Sequence, residues 1–503
     1  MSGDQPVPRA TMRAQLRFVA IAGVGLFLDG YLNIVIGLVV PMLGYIYFPP
    51  HGSVPAIKGD EMKGGLSVGM VIGQLGFGLF GDALGRHKVY GKELLFTIVG
   101  TLLVVLVPWK GISQEGVVAW ITCFRVLTGF GIGGDYPMSS SLAAEKTIFG
   151  SRAKLILTVF ACIGCGGISA SIVNTILLRA GRQSIEENID HLQWVWRILL
   201  GVGIVPALLT LYARLTMRES GPYEKYVATE TGLRGPNKRG LKEQFEDFRV
   251  YFRQPKHARV LFAVSAVWFL FDIAFYGVNY NQSIILKQIG YGKGKTPYET
   301  LWHTAIGNII VQSAGYLPGF FIGIFLPDWI GRRAQQFWLC LASSLLYAIW
   351  AGVSTRKKTP VGGLMTLFTL AQLVLNAGPN CTTFLIPVEV FPTRVRGSAH
   401  GIAAASGKVG AILTAFAFGT VVDHIGLPGT LGLFAGIMAL AAGITLMIPE
   451  TKGTTIEDIE NDKIFGGSSV FQDDSINSTP DSLMKGTNPP AETMRDFDDK
   501  RML

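Results

Sequence analysis

Charge is scarce in this sequence. Only 16% of its 503 residues are Asp, Glu, Lys or Arg, where a soluble chain carries about a quarter. The deficit lies in long apolar stretches, each able to cross a hydrocarbon core of about 30 Å. Soluble globular architecture is therefore excluded first. Cysteine is also sparse. Cys123, Cys162, Cys165, Cys340 and Cys381 all fall inside apolar segments, and their odd number and placement argue against a disulfide framework. Metal-ligand spacing, a nucleophile–base pair and a nucleotide loop are all missing. Gly129-x-Gly131 sits within an apolar helical run, not after a strand. No enzyme, cofactor or metal site is expected. The net charge is +9, but the basic residues do not alternate with aromatics, so no nucleic-acid partner is expected.

What is abundant is apolar length and glycine. Apolar length predicts twelve helical spans: 17–42, 64–84, 91–109, 117–141, 154–178 and 194–214, then 259–284, 302–326, 334–352, 361–387, 397–422 and 429–448. The 62 glycines suit a bundle in lipid, where small residues let helix backbones approach closely. Residues 1–16 form a basic N-terminus that leads into the first span without a cleavage pattern, so no removable signal is expected. The two six-span units, 17–214 and 259–449, are joined by a basic stretch, 215–258. That stretch is expected to carry a short amphipathic helix on anionic lipid. The tail, 450–503, is too polar to fold alone. Arg86–Lys88, Lys146, Arg152, Lys154, Arg332–Arg333, Arg394 and Arg396 share the N-terminal side. That side should be cytosolic, with both termini on it. Arg356, Lys357 and Lys358 vote the other way and are outnumbered.

The two units echo each other. Asp82-Ala83-Leu84-Gly85-Arg86 and Asp328-Trp329-Ile330-Gly331-Arg332 lie 246 positions apart. Glu145 precedes Arg152 by seven residues, and Glu389 precedes Arg396 by seven. Asp29 and Asp272 are 243 apart. Several features at nearly one offset imply a duplicated six-helix unit. In transporters built from such repeats the solute site lies near the midplane, between the halves.

Four ionisable residues lie deep in the spans: Asp29, Asp135, Asp272 and Lys408. Such groups are costly in an apolar bundle and usually mark a pathway, although a structural ion pair is the alternative. Three aspartates outnumber one lysine, so at least one carboxyl is expected to exchange protons. Trp268, Asp272 and Tyr276 recur at i, i+4 and i+8 and share a helix face.

These motifs resemble the major facilitator superfamily over nearly the whole chain. The Asp-x-x-Gly-Arg loops carry the likeness, as do Arg125-Val126-Leu127-Thr128-Gly129 and Pro449-Glu450-Thr451-Lys452-Gly453. Gly133-Gly134-Asp135-Tyr136-Pro137, Trp268 to Gly277, Glu389 to Arg394 and His400 to Lys408 are similar to the phosphate:proton symporters of fungi and plants. The resemblance implies an all-α membrane protein of twelve helices in two pseudo-symmetric halves. It implies a plasma-membrane monomer that moves a small anionic, phosphate-containing solute with protons across the bilayer. It implies proton transfer at Asp29 and Asp135, and a solute site at Tyr136, Ile163, Trp268, Asp272, Tyr276, Asn380 and Lys408. Asp82, Gly85, Arg86, Glu145, Arg152, Asp328, Gly331, Arg332, Glu389 and Arg396 are implied as gating residues.

Two positions depart from the symporter pattern. Leu32 stands where the family has a second aspartate, and Ile163 stands where it has a glutamine that binds phosphate. An isoleucine cannot donate a hydrogen bond, so an organic phosphate ester is a candidate substrate, as in fungal glycerophosphodiester permeases. A sugar or polyol transporter of the same fold, and a non-transporting nutrient receptor, remain alternatives.

Overall fold

The computed structural model describes residues 9–49, 52–145, 151–217, 240–356 and 359–467. Lys146, Lys357, Lys358, most of the central linker and the distal tail lie outside the described residues. Ten helices are long and apolar enough to cross a membrane. In chain order the spans are α1 (Arg9–Tyr47), α2 (Ala56–Leu84), α3 (Lys92–Val105) and α4 (Gln114–Glu145). Next come α5 (Arg152–Ala180), α6 (Ile189–Leu215), α7 (Pro255–Asn279) and α8 (Pro297–Ile330). Then follow α9 (Arg332–Ser354), α10 (Val361–Val390) and the 50-residue helix Arg396–Thr445. This last helix breaks at Gly426, where φ is 69°, into α11 (396–425) and α12 (427–445). The 14-residue α3 completes the twelve.

Several helices run past the spans expected from apolar length. α2 starts at Ala56 and α8 at Pro297, because a helix can continue into the polar zone once its buried part is formed. The linker helix, Leu241–Phe252, packs on protein. Gln244 donates to the Arg394 carbonyl at 2.9 Å, and the Phe252 ring meets Phe391. The expected bed of lipid is thus partly replaced by the start of α11, while Phe245 stays exposed.

Packing within each half relies on close backbone approach. Gly65, Gly69 and Gly73 line one face of α2 against α4. A methyl group on Gly69 would lie 1.9 Å from the Val126 carbonyl oxygen, and one on Gly129 would lie 1.9 Å from that of Leu66. Glycine is what allows this contact where lipid removes the hydrophobic drive between helices. Outward-facing apolar residues such as Phe262, Leu209 and Trp329 are exposed, as suits a lipid-facing surface.

The duplication is visible in three dimensions. Gly85 and Gly331 both follow a repeat aspartate by three residues, and both have positive φ, 96° and 91°. A side chain is strained in that region. On the face where α1 begins, here called the basic face, both repeat loops reach across to the other half. Asp82 accepts from the Gly397 and Ser398 amides at 3.1 and 2.7 Å and from Ser398 Oγ at 2.9 Å. These amides open α11, where the helix dipole favours an anion. Arg86 and Arg396 converge on Glu145 at 3.0 and 3.1 Å. In the mirrored set, Asp328 accepts from Ser151 Oγ at 2.8 Å. Arg332 and Arg152 converge on Glu389 at 2.8 and 3.6 Å. The opposite face is sealed as well. Lys63 meets Asn281 at 2.9 Å, Ser67 meets Tyr280 at 2.8 Å, and Ser283 donates to the Gly37 carbonyl at 2.9 Å. Both faces are closed, so the centre is occluded.

Gly69→Ala tests this packing. The added methyl must part α2 from α4, at a cost of roughly 1–3 kcal/mol. Its thermal unfolding in detergent should fall by several degrees, while Gly436→Ala, with open space around it, should match the parent. Equal melting of the two variants would contradict the packing argument.

Candidate functional site

At the midpoint of the bundle, α1, α4, α5, α7, α8, α10 and α11 enclose a cavity. It holds about 20 Å³ open to the centre of a water molecule. Its charged walls are Asp29, Asp272 and Lys408, each at most 2% exposed. Lys408 Nζ donates to Asp272 Oδ2 at 3.0 Å and to the Tyr276 hydroxyl oxygen at 2.7 Å. It also lies 4.3 Å from the centre of the Tyr276 ring, where the ring face attracts a cation. Across the cavity, Asp29 is held by the N-terminal half. Tyr136 donates its phenol to Asp29 Oδ2 at 2.5 Å, and Asn33 donates to Oδ1 at 2.6 Å.

The expected solute residues come together. Tyr136, Ile163, Trp268, Asp272, Tyr276, Asn380 and Lys408 all line the one cavity. Trp268, Asp272 and Tyr276 do so because successive steps of four keep them on one face of α7. Asn380 arrives by a different route. Asn376–Asn380 is a π-helical turn around Pro379, a local irregularity common at functional sites. Asn380 Nδ2 donates to Asn376 Oδ1 at 2.7 Å. A second π turn, Gln312–Tyr316, brings Tyr316 to the wall. Phe160, Ile34, Phe275 and Ile163 make the rest of the lining largely apolar.

The sugar (and other) transporter family model matches residues 18–462. The chain belongs to that family. This transporter is 36% identical over 498 residues to the inorganic phosphate transporter PHO84 of Saccharomyces cerevisiae, across 88% of its own length and 84% of the relative's. It is 34% identical to the repressible high-affinity phosphate permease of Neurospora crassa, across 92% of its own length and 89% of that protein's. Its fold matches the major facilitator proton:xylose symporter XylE with a TM-score of 0.69, covering 89% of this chain and 98% of that one. At 21% identity that likeness speaks for the fold alone. The family is one of transporters, so this chain is a transporter and not an enzyme.

One expected residue of the transporter is elsewhere. Asp135 does not line the cavity. It is consecutive with Tyr136 on α4, neighbours in a helix point about 100° apart, and here Tyr136 is the one that faces the centre. Asp135 turns instead towards α1, α3 and α6. There it pairs with Arg214 Nη1 and accepts from Ser139 Oγ at 3.0 Å. Arg214 also reaches Glu93 at 3.2 Å. Its remaining donors go to the Ile21 and Ala22 carbonyls at 2.9 and 2.8 Å. The sequence count of three acids to one lysine therefore needs correcting. Asp135 belongs to a separate buried cluster of two acids and one arginine. Sequence reasoning missed Arg214 and Glu93 because both sit near span ends, where a charge reads as a boundary marker. It also missed Asn33, Phe275, Asn279 and Tyr316. The i+4 relation of Asn33 to Asp29 was a usable signal for the first.

The cluster makes a stability prediction. Arg214→Gln strands two buried carboxylates, and breaking a buried pair costs about 3–5 kcal/mol. The variant should unfold at markedly lower denaturant in an SDS titration, and adding Asp135→Asn should recover part of the loss. No loss in the single variant would show that the cluster is not electrostatically bound.

Proposed function

We propose that this protein is a proton-coupled symporter of inorganic phosphate working by alternating access. The observation that carries the reading is one enclosed cavity holding both Lys408 and Asp29. The names of the curated relatives point to the same solute. Lys408 has three N–H donors, two of them used by Asp272 and Tyr276. The third is available to an anion.

Asp29 supplies the coupling. As a carboxylate it repels a phosphate across a cavity of low polarity, and it also consumes the Tyr136 phenol and the Asn33 amide. Protonation removes the charge. It also releases Tyr136 to donate to a phosphate oxygen, and the new carboxylic O–H adds a donor. Proton and anion then favour the same state, and their binding is mutually reinforcing. Asp135 acts at one remove. Its cluster with Glu93 and Arg214 carries one negative charge unless it takes a proton, so it suits a second proton site outside the anion's reach.

The basic face is proposed as cytosolic, with both termini on it in the plasma membrane, because Arg86, His87, Lys88, Arg152, Lys154, Arg332 and Arg333 gather there. Asp82, Arg86, Glu145 and Arg396, mirrored by Asp328, Arg332, Glu389 and Arg152, then form the inner gate, with Gly85 and Gly331 shaping its two loops. The polar contacts from Lys63, Ser67 and Tyr280 to the other half form the outer gate. The organic ester suggested by Ile163 is set aside. The named relatives are phosphate carriers.

Purified protein in liposomes should accumulate labelled phosphate when an inward proton gradient is imposed. Asp29→Asn, which keeps the shape but holds no titratable proton, should lose uphill accumulation while retaining some downhill exchange. Full uphill uptake by that variant would remove Asp29 from coupling.

Ile163 offers a second test. Against an isoleucine, one phosphate oxygen is left without a partner, at a cost of about 1–3 kcal/mol. Ile163→Gln should therefore lower the KM for phosphate by roughly fivefold or more. A higher KM would mean that Ile163 packs against the anion's neighbours and not against the anion.

A further inference from the structure

Near the proposed outer gate lie two buried cations, Lys63, whose contact across the halves helps close that gate, and Arg125, which has no part in the reading above. Arg125 on α4 is 2% exposed. Its Nε donates to the Met62 carbonyl at 2.8 Å and its Nη1 to the Leu32 carbonyl at 3.5 Å. Its Nη2 has no partner, and no carboxylate among the described residues pairs with it. Lys63 on α2 is 6% exposed. It reaches Asp60 at 3.3 Å on its own helix and Asn281 at 2.9 Å in the other half.

The two cations share an anchor, since Met62, which holds Arg125, precedes Lys63. They also adjoin the cavity, since Leu32 precedes the lining residue Asn33. An uncompensated guanidinium inside a membrane bundle is expensive and is retained where an opposite charge visits. The occluded state supplies no such charge. The contact from Lys63 to Asn281 joins the two halves, so opening the outer gate must break it. Lys63 then loses its partner from the other half, one residue along α2 from the carbonyl that holds Arg125.

We infer that Arg125 and Lys63 form an anion-acquisition site above the central cavity. Phosphate entering from outside lodges there before it descends to Lys408. Asp60 holds Lys63 until the anion competes for it. The site deepens the phosphate-symport reading and rests on it. It gives no advantage to a neutral solute, so it adds selectivity before the central site is reached. It also differs from a role for Arg125 in setting the protonation of Asp29, which would act on coupling and not on capture.

The experiment is initial-rate uptake of labelled inorganic phosphate into liposomes holding the full chain, at a fixed inward proton gradient. Lys63→Gln and Arg125→Gln should each raise the KM for external phosphate at least fivefold, with the maximal rate of Arg125→Gln within twofold of the parent. Arg125→Lys should keep most of the affinity. Added external salt should raise the parent's KM more than that of Lys63→Gln, because a site near the surface is screened. If Arg125→Gln does not fold, the Lys63→Gln and Arg125→Lys results and the salt dependence decide. An unchanged KM in Lys63→Gln and Arg125→Gln overturns the inference. So does a displaced pH profile at unchanged KM, which would place Arg125 in proton coupling. A parent protein that takes up no phosphate overturns the symport reading and this inference with it. Parental uptake with unaltered variants overturns the inference alone.

Discussion

One buried ammonium sets the terms for the interior. Lys408 sits among apolar spans, where a lone charge is not tolerated, and Asp272 and Tyr276 make it tolerable at 3.0 and 2.7 Å. The pairing explains why α7 carries three polar or aromatic residues at steps of four. It also explains why the cavity lies where α7 meets α11 across from α1 and α4. An ion pair that spends every donor would be a structural rivet. This one keeps a donor, and its cavity holds a second acid on the opposite wall. That surplus turns a stabilising contact into a site.

The contacts that close the basic face follow the duplication. Each repeat loop anchors its own half to the other, so the basic face is closed by two related sets of contacts and not by one. The sets are unequal. Asp82 is completely buried and accepts three hydrogen bonds from the start of α11. The Asp328 side chain is 23% exposed and meets Ser151, Lys154 and Arg332. Exposed ion pairs are weak and buried ones are not easily broken from one side. The contact between α5 and α8 is therefore the softer seam of the closed face. The opposite face is held by neutral hydrogen bonds and one lysine, a lighter seal than that of the basic face.

Much of this was legible in the sequence, and the reasons differ by feature. The twelve spans follow from apolar length. The repeat follows from residues at a constant offset, and the cavity lining follows from steps of four on α7 and from motif likeness. Asp135 was misplaced because a motif names residue types without their direction, and on α4 it is Tyr136 that takes the central face. Arg214 escaped because one arginine at a span end looks the same whether it faces water or a buried carboxylate. Helix lengths were underestimated at Ala56 and Pro297 because apolar length reports the hydrocarbon core and not the helix. The two π turns left no periodic trace, so Tyr316 was not foreseen.

In the proposed mechanism, coupling turns on a count of hydrogen-bond donors as much as on charge. In the occluded form Asp29 holds two donors, Tyr136 and Asn33, at 2.5 and 2.6 Å. A phosphate in the same cavity needs several. While Asp29 is ionised, the anion faces repulsion and a shortage of donors together, and both penalties act in surroundings that amplify them. One proton then eases both, since it cancels the charge, releases the Tyr136 phenol and adds a carboxylic O–H donor. A mechanism built on repulsion alone could be satisfied by any nearby cation. One built on donor exchange gains more from a proton, because a proton leaves a new O–H donor on the carboxyl that a metal ion cannot supply. On the proposed reading, the Asp29–Tyr136–Asn33 arrangement therefore suits a proton as the driving ion, through hydrogen bonds already present in the closed state.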